Sequence, residues 1–466
     1  MPQTDRQILS AAQMRAAEDA LIAGGTSVDE LMQRAGRGAA EYVWRMAAMG
    51  AVTVLCGPGN NGGDGYVIAE ALREWGSEVR LIAACPPKTD AALNAAALYQ
   101  GEVLPPQADS HGNVLVDCLF GCGLSRPLSD EHAGLLARLA RHHKHTVAID
   151  LPSGVESDSG AMLTPSLPQF DLTIALGAWK FAHFLMPASA MMGALRLVGI
   201  GVEAVVGVAE VLSRPMFTAP AADAHKYRRG LLAVVGGVMP GAAMLACTAA
   251  QGAGAGYVRL LADTDFPAPP DLVVDSAALR VSAADPRISA ILIGPGLGRD
   301  ETAAQRLMTA LGCDVPVLVD ADALHVLAAI RITGGAAPII ATPHDGEFAA
   351  LERSMRLTPG GTKVERTRAL AQASGMVIVA KGADTVIAAP DGRLVCAPRG
   401  SSWLSTAGTG DVLAGAIASR LATGAEAFAA ACQGVWLHSQ AARLSAPVFT
   451  ASQLARNIQS AYAAAL

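Results

Sequence analysis

No Gly-Lys pair occurs anywhere in the 466 residues, which excludes the phosphate loop of the form G-x-x-x-x-G-K-[ST]. No C-x-x-C occurs either. The eight cysteines are scattered, with Cys118 and Cys122 the nearest pair, and they read as small buried hydrophobes in a reducing cytosol. Charge is scarce: 16% of residues are charged, the net charge is −6, and there is no basic block. Nucleic acid and anionic membranes are therefore not expected partners. The first twenty residues lack the basic-then-apolar layout of a signal peptide, so a cytoplasmic location is expected. The segment 230–258 carries no charged residue and imitates a membrane span. Its glycines, its Met-Pro-Gly turn, Thr248 and Gln251 instead predict strand, turn, buried helix and strand.

What is abundant is apolar: 52% of residues are hydrophobic, enough for large cores. The length exceeds what one core usually holds, so two domains are expected. Helical spacing predicts helices over 10–18 and 27–48, the second capped by Ser27 with Glu30 three residues on. Short apolar runs at 52–55, 79–83, 114–117, 146–150 and 172–176 alternate with helical stretches, the pattern of a parallel sheet covered on both faces. Periodicity fades around 205–224, where the domain boundary is placed, giving domains 1–214 and 222–466. The second domain predicts strands at 231–235, 257–261, 290–293, 317–319, 338–341, 377–380, 385–389 and 394–397. The last two flank Pro390-Asp391-Gly392, a hairpin signal.

Two glycine-rich turns, each reaching an aspartate, stand out. The first runs Gly57-Pro58-Gly59-Asn60-Asn61-Gly62-Gly63-Asp64 after a strand. It satisfies G-x-G-x-x-G, but the next strand runs into Ala84-Cys85-Pro86-Pro87 with no carboxylate for a ribose, which disfavours an ordinary NAD dehydrogenase. Asp117 and Asp150 end two further strands. A pair of strand-end carboxylates beside a polar glycine loop can supply a general acid/base and a cation ligand. The segments VTVLCGPGNNGGDGYVIAEAL, VDCLFGCGL and IDLPSGV together resemble the YjeF N-terminal domain, the NAD(P)HX epimerase, over about residues 8–200. NAD(P)HX is NAD(P)H hydrated across a ring double bond.

The resemblance implies a Rossmann-like three-layer αβα domain that interconverts R and S epimers. It implies substrate contacts at Asn60, Asn61, Gly62, Gly63, Asp64, Lys88, Asp150 and the loop Gly121, Cys122, Gly123, Leu124, Ser125, Arg126 and Pro127. It implies a potassium ion on Asn61, Asp117 and Ser153. Asp117 is the expected acid/base.

The second turn, Thr406-Ala407-Gly408-Thr409-Gly410-Asp411, opens a helical stretch. Its small residues let amides converge on an anion at a helix N-terminus. Gly294-Pro295-Gly296-Leu297-Gly298, then Asp320 and Asp322, then Thr342-Pro343-His344, then Lys381, all fall at successive strand ends, as in a ribokinase-like small-molecule kinase. GAGAGYV, GPGLG, VDADAL, TPHDGE, KGADTVI and STAGTGDVLAG resemble, in order, the ADP/ATP-dependent NAD(P)HX dehydratase, the YjeF C-terminal domain, over about residues 222–465.

The second resemblance implies a ribokinase-like αβα domain. Nucleotide contacts would come from Lys381, Gly382, Ala383, Asp384, Thr385, Gly408, Thr409 and Gly410. The hydrated dinucleotide would meet Ala243, Gly298, His344 and Asp411, with Asp411 as catalytic base. It also implies ADP or ATP as co-substrate, magnesium on the phosphates, and a homo-oligomer.

The expected activity is thus a bifunctional repair of NADHX and NADPHX. The competing enzymatic reading is a vitamin or sugar kinase with an accessory Rossmann-like domain. A catalytically silent binding module is the third reading, against which the retained Asn61, Asp117, Asp150 and Ser153 speak.

Overall fold

The computed structural model describes residues 3–262, 268–330 and 337–466. The chain divides into two compact units, Met1–Glu210 and Val211–Leu466.

The first unit contains β1 (Gln7–Ile8), β2 (Val52–Cys56), β3 (Val79–Ala83), β4 (Val103–Leu104), β5 (Gly112–Cys118), β6 (His143–Ile149), β7 (Leu172–Leu176) and β8 (Ala194–Val198). Among the described residues its main sheet has the order β4-β3-β2-β5-β6-β7-β8, and every pairing is parallel. β1 lies outside it, antiparallel to β9 (Ala209–Val211), with Gln7 opposite Glu210. Every residue of β2 and of β7 is buried, because helices cover both faces. Successive side chains alternate between them. Val52, Val54 and Cys56 join the core with Ile68 and Leu72, whereas Leu55, Leu115 and Ile82 join Leu135, Leu136 and Leu139.

The helix Val28–Ala47 begins as expected: Ser27 accepts the Glu30 amide. The expected return bond from the Glu30 side chain is absent from the described contacts, and its carboxylate instead meets Arg34 one turn on, at 2.6 Å.

The second unit follows with β10 (Leu231–Val235), β11 (Tyr257–Leu261), β12 (Val273–Asp275), β13 (Ile288–Ile293), β14 (Val317–Val319), β15 (Ile339–Ala341), β16 (Val377–Ala380), β17 (Val386–Ala388) and β18 (Leu394–Cys396). Its described strands order as β18-β17-β16-β15-β14-β13-β10-β11-β12. Only β17 runs antiparallel to its neighbours there, forming the expected hairpin with β18. The charge-free segment resolves into β10, the helix Pro240–Gly252 and β11. Among the described residues, no helix is long and apolar enough to cross a membrane. Strands β1, β4, β8, β9 and β12 lie beyond the sequence expectation. β4 and β12 are two and three residues long, and β8 alternates exposed and half-buried positions over most of its length, so neither length nor hydropathy marks them.

In each sheet the strand order reverses once, between β2 and β5 and between β10 and β13. Such switch points open a crevice beyond the carboxyl ends of the strands. None of the eight cysteines is in a disulfide. Cys56, Cys118, Cys247 and Cys396 are buried, and burial pushes the Cys396 thiol up to about 12.

Ser419 is fully buried on the helix Thr409–Ala422. Its hydroxyl donates to the Ala250 carbonyl at 2.8 Å and accepts the Ala255 amide at 3.0 Å. Ser419→Ala strands both groups, and the expected loss is about 1–3 kcal/mol in denaturant unfolding.

Candidate functional sites at two switch points

In the first unit β2 delivers the glycine loop to the helix Asn60–Glu74, whose N-cap Gly59 makes no side-chain cap. Its first-turn amides are therefore open to an anion. Gly57 has no alternative: a Cβ there would stand 1.9 Å from the Leu119 carbonyl oxygen. The Asn60 amide oxygen accepts Thr89 Oγ1 at 2.6 Å, and the Lys88 amide donates to the Pro58 carbonyl. The Lys88 segment thus lies against the glycine loop with its side chain exposed. Asn61 is the unusual member, because both polar atoms of its side chain are buried with no partner among the described residues.

Asp117, at the end of β5, is fully buried. Its Oδ1 accepts Ser153 Oγ at 2.7 Å and the Leu119 amide, and its Oδ2 accepts the Ser153 amide at 2.9 Å. Burial pushes the Asp117 carboxyl up to about 6, against the pull of those donors. Ser153 Oγ also touches both polar groups of Phe120.

Asp150 sits beyond β6 with φ 65°, a left-handed conformation uncommon outside glycine. Its surroundings over-determine it. Oδ1 accepts the Lys180 ammonium at 2.5 Å, Oδ2 accepts the Cys122 amide at 3.1 Å, and its carbonyl contacts His183 Nε2 at 2.8 Å. Both partners of the ion pair are buried, the side chains 1% and 8% exposed. Burial alone would raise the Asp150 carboxyl, but the Lys180 charge, the Lys180 hydrogen bond and the Cys122 amide act together against it and hold the group below the ordinary carboxylate range. Burial pulls His183 down to about 4. The ring is therefore neutral, with Nε2–H donating to Asp150 and Nδ1 accepting the Lys180 amide.

Asp64 is buried too. Burial, then Asp150 and Glu18, push it well above the usual range. Burial likewise raises half-buried Glu18, on the helix Ala11–Ala23. A Cβ at Gly121 would stand 3.1 Å from Asp150 Oδ2 and 3.3 Å from the Asn61 amide carbon. Gly121 and Cys122 therefore close over the site, while Gly123, Ser125, Arg126 and Pro127 face outward and Leu124 is half-buried.

Lys180, Glu18 and His183 carry no motif. Lys180 could have been found by the strand-end rule, since it follows β7 within Gly177-Ala178-Trp179-Lys180.

In the second unit the polar groups converge beyond β13 to β16. Asp320 is 1% exposed and accepts Thr342 Oγ1 and the Lys381 ammonium, each at 2.6 Å. Asp322 accepts the Gly298 amide at 3.1 Å and Arg299 Nε at 2.7 Å. His344 caps the helix Asp345–Ser354: its Nδ1 accepts the Gly346 amide, and its own amide donates to Glu347. The expected nucleotide segment is braced by Lys363, which reaches Asp384 at 2.6 Å, and by Thr385, which donates to the Gly382 carbonyl. Lys381 departs from that segment, turning its ammonium inward to Asp320. The Ala243 side chain is fully buried in the core, so it presents no surface to a soluble ligand.

The helix Thr409–Ala422 opens at Gly408, whose φ of 91° demands glycine. Thr409 Oγ1 donates to the Leu404 or Thr406 carbonyl, and Thr409's own carbonyl accepts buried His438 Nε2 at 3.0 Å. Burial holds His438 down to about 4, so it is a neutral donor. This fixes the plane of the peptides at the helix mouth. Asp411 stands one turn in. Burial first, then Asp320, push its carboxyl up to about 7 against the opposing Lys381 charge.

Carboxylates at successive strand ends facing an amide-rich helix mouth define a ribokinase-like phosphoryl-handling domain. Comparison with known proteins agrees. The NAD(P)H-hydrate dehydratase family matches residues 232–463, and the YjeF-related protein N-terminus family matches residues 28–182. The bifunctional NAD(P)H-hydrate repair enzyme Nnr of Mycobacterium leprae is 34% identical over 458 residues, covering 95% of this chain and 94% of that protein. Its namesake from Mycobacterium tuberculosis strain H37Rv is 35% identical over 436 residues, covering 90% of each. Among solved structures, the ADP/ATP-dependent NAD(P)H-hydrate dehydratase of Bacillus subtilis, co-crystallized with ATP/Mg2+, is 29% identical. It covers 55% of this chain and 100% of its own, with a TM-score of 0.46. The chain belongs to the family of bifunctional NAD(P)H-hydrate repair enzymes.

Asp150→Asn keeps the shape of the site but removes the charge facing Lys180. The expected outcome is a loss of about 10²–10⁴ in epimer interconversion, read by chromatographic separation of R and S forms. Dehydration of pure S substrate should be unchanged, and an equal loss of both activities would contradict independent sites.

Proposed function

We propose that the first unit interconverts R- and S-NAD(P)HX, and that the second phosphorylates the ring hydroxyl of the S epimer and eliminates the phosphate to restore NAD(P)H. The observation that carries this reading is the Asp411 carboxyl at the mouth of an amide-lined helix, beside the half-buried Lys381. The substrate hydroxyl attacks the terminal phosphoryl of ADP or ATP and gives its proton to Asp411. The amides of residues 408–410 receive the charge that develops on the phosphoryl oxygens. The ring nitrogen lone pair then expels phosphate, and loss of the proton on the neighbouring ring carbon to solvent re-forms the double bond of the dihydronicotinamide.

Lys363 and Asp384 support the nucleotide segment Lys381–Thr385, while His344 and Gly298 border the dinucleotide. Magnesium carried on the nucleotide phosphates would neutralise their charge during transfer.

In the first unit the opposite shifts of neighbouring carboxylates supply both proton states. Asp64, raised by burial, keeps its proton more readily than an ordinary carboxyl and can give it to a departing hydroxyl, while Asp150 is held ionised against Lys180 and can take one. The enclosure of Asp117 and the occupation of both its oxygens support an anchoring role instead. The unpartnered Asn61 side chain, with the oxygens of Asp117 and Ser153, would supply a hard oxygen donor set for potassium. When bound, that ion would supply fixed positive charge near the substrate's phosphates. The unbridged thiols fit a reducing, cytoplasmic setting.

The direct test incubates the protein with ADP and a mixed-epimer NADHX sample and follows NADH absorbance. Complete recovery with stoichiometric phosphate release is expected, whereas a stable phosphorylated product would favour the kinase reading. Asp411→Asn should lose about 10²–10⁴ in dehydration with nucleotide affinity retained. A base must be ionised, so dehydration in the wild type should rise with pH through about 7. Exchanging potassium for choline should lower the melting temperature of the wild-type protein, and Asn61→Ala should erase the difference.

A further inference from the structure

The ion pair between Lys381 and Asp320 has no evident structural task. It spans β14 and β16 with β15 between them, strands that the ladder already joins. It is costly to bury: the side chains are 17% and 1% exposed, at 2.6 Å. Thr342, from the intervening strand end, fixes the same carboxylate oxygen. Lys381 Nζ also reaches the helix mouth, 3.6 Å from where a Cβ on Gly410 would stand. It therefore lies next to the residue that precedes Asp411.

We propose that Lys381 and Asp320 are a positioning pair that sets the proton state of Asp411, one charge drawing the proton off and the other retaining it. This rests on Asp411 being the base for phosphoryl transfer. The surroundings of Asp411 leave few other charges to do this. Asp322 acts on it from the start of the helix Asp322–Ile330 but is matched by Arg299. Glu347 acts on Lys381 and is itself raised by burial. His438, beneath Thr409, is neutral.

An isolated carboxyl so buried would keep its proton and could not serve as a base at neutral pH. A lone lysine beside it would leave a carboxylate too weakly basic to accept one. The opposed pair holds the group between these limits, where a general base works best near neutral pH. Its place between the nucleotide segment and the base further implies that arrival of nucleotide phosphate, by drawing on the Lys381 charge, raises the affinity of Asp411 for the substrate proton as the complex assembles.

The test is the pH profile of dehydration kcat/KM with S-NADHX and ADP. Lys381→Met should move the acid limb to higher pH and Asp320→Asn should move it to lower pH, each by about 1–3 pH units. The double variant, which removes both charges, should return the limb toward the wild type, a coupling that a merely structural role does not produce. If Lys381→Met does not fold, Asp320→Asn and the double variant still show the fall and the return. Limbs that stay fixed, with only the nucleotide KM raised in Lys381→Met, would make the lysine a phosphate contact and overturn the proposal. Shifts of the same sign in both single variants would overturn it too. Asp411→Asn separates the two levels: retention of the wild-type limb there would sink the base assignment itself.

Discussion

A parallel sheet covered by helices on both faces leaves nowhere for polar chemistry except the ends of its strands. Both units obey this constraint, and the rest of their organisation follows from it. Valine, leucine, isoleucine and alanine fill β10 and β14 to β16, and only Thr53, Cys56 and Thr173 interrupt them in β2 and β7, so the ladder consumes the backbone polar groups and the side chains consume the apolar surface. Carboxylates, lysines and asparagines can then appear only where the chain leaves the sheet. The single reversal of strand order in each unit gathers those exits into one crevice. Short glycine turns bring the backbone near enough for its amides to act as ligands.

Much of this was legible in the residues themselves. Apolar runs bounded by helical patterns marked the long buried strands, and Pro390-Asp391-Gly392 marked the β17–β18 hairpin. Short or half-exposed strands such as β12 and β8 were silent, because two or three residues carry no period and an edge strand need not be apolar. Side-chain partnerships were harder still. Nothing in Gly177-Ala178-Trp179-Lys180 announces that the lysine folds back 30 residues to reach Asp150, nor does helical spacing reveal that Glu18 joins the same group. Lys381 was legible as a site residue, but its inward turn to Asp320 depends on Thr342 and the order of three strands. Asp117 carried a motif and a strand end, but neither announces its full enclosure or the donors that meet both its oxygens.

The two crevices reach a similar electrostatic solution with different parts. Each buries a lysine against an aspartate at a strand end, and each places a further carboxyl nearby that burial keeps protonated more readily than in water. Such pairs are weak contributors to stability, since desolvation offsets most of their attraction. Their value here lies in separating the proton affinities of neighbouring acids. The first unit separates Asp64 from Asp150, and the second brings Asp411 near neutrality. Neutral imidazoles, His183 and His438, hold the adjoining backbone in place without adding charge, because burial keeps both uncharged.

The sulfur atoms of this chain carry a consequence of their own. Cys56 and Cys118 lie at the ends of β2 and β5, immediately behind the first crevice, and both are enclosed, with burial raising their thiols. Peroxide and electrophiles attack the anionic form of sulfur, which these two positions hardly populate at neutral pH. A catalyst that mends chemically injured coenzyme thus keeps these two sulfurs from the oxidants that accompany such injury, and partly exposed Cys85, Cys122, Cys313 and Cys432 are left to meet them first.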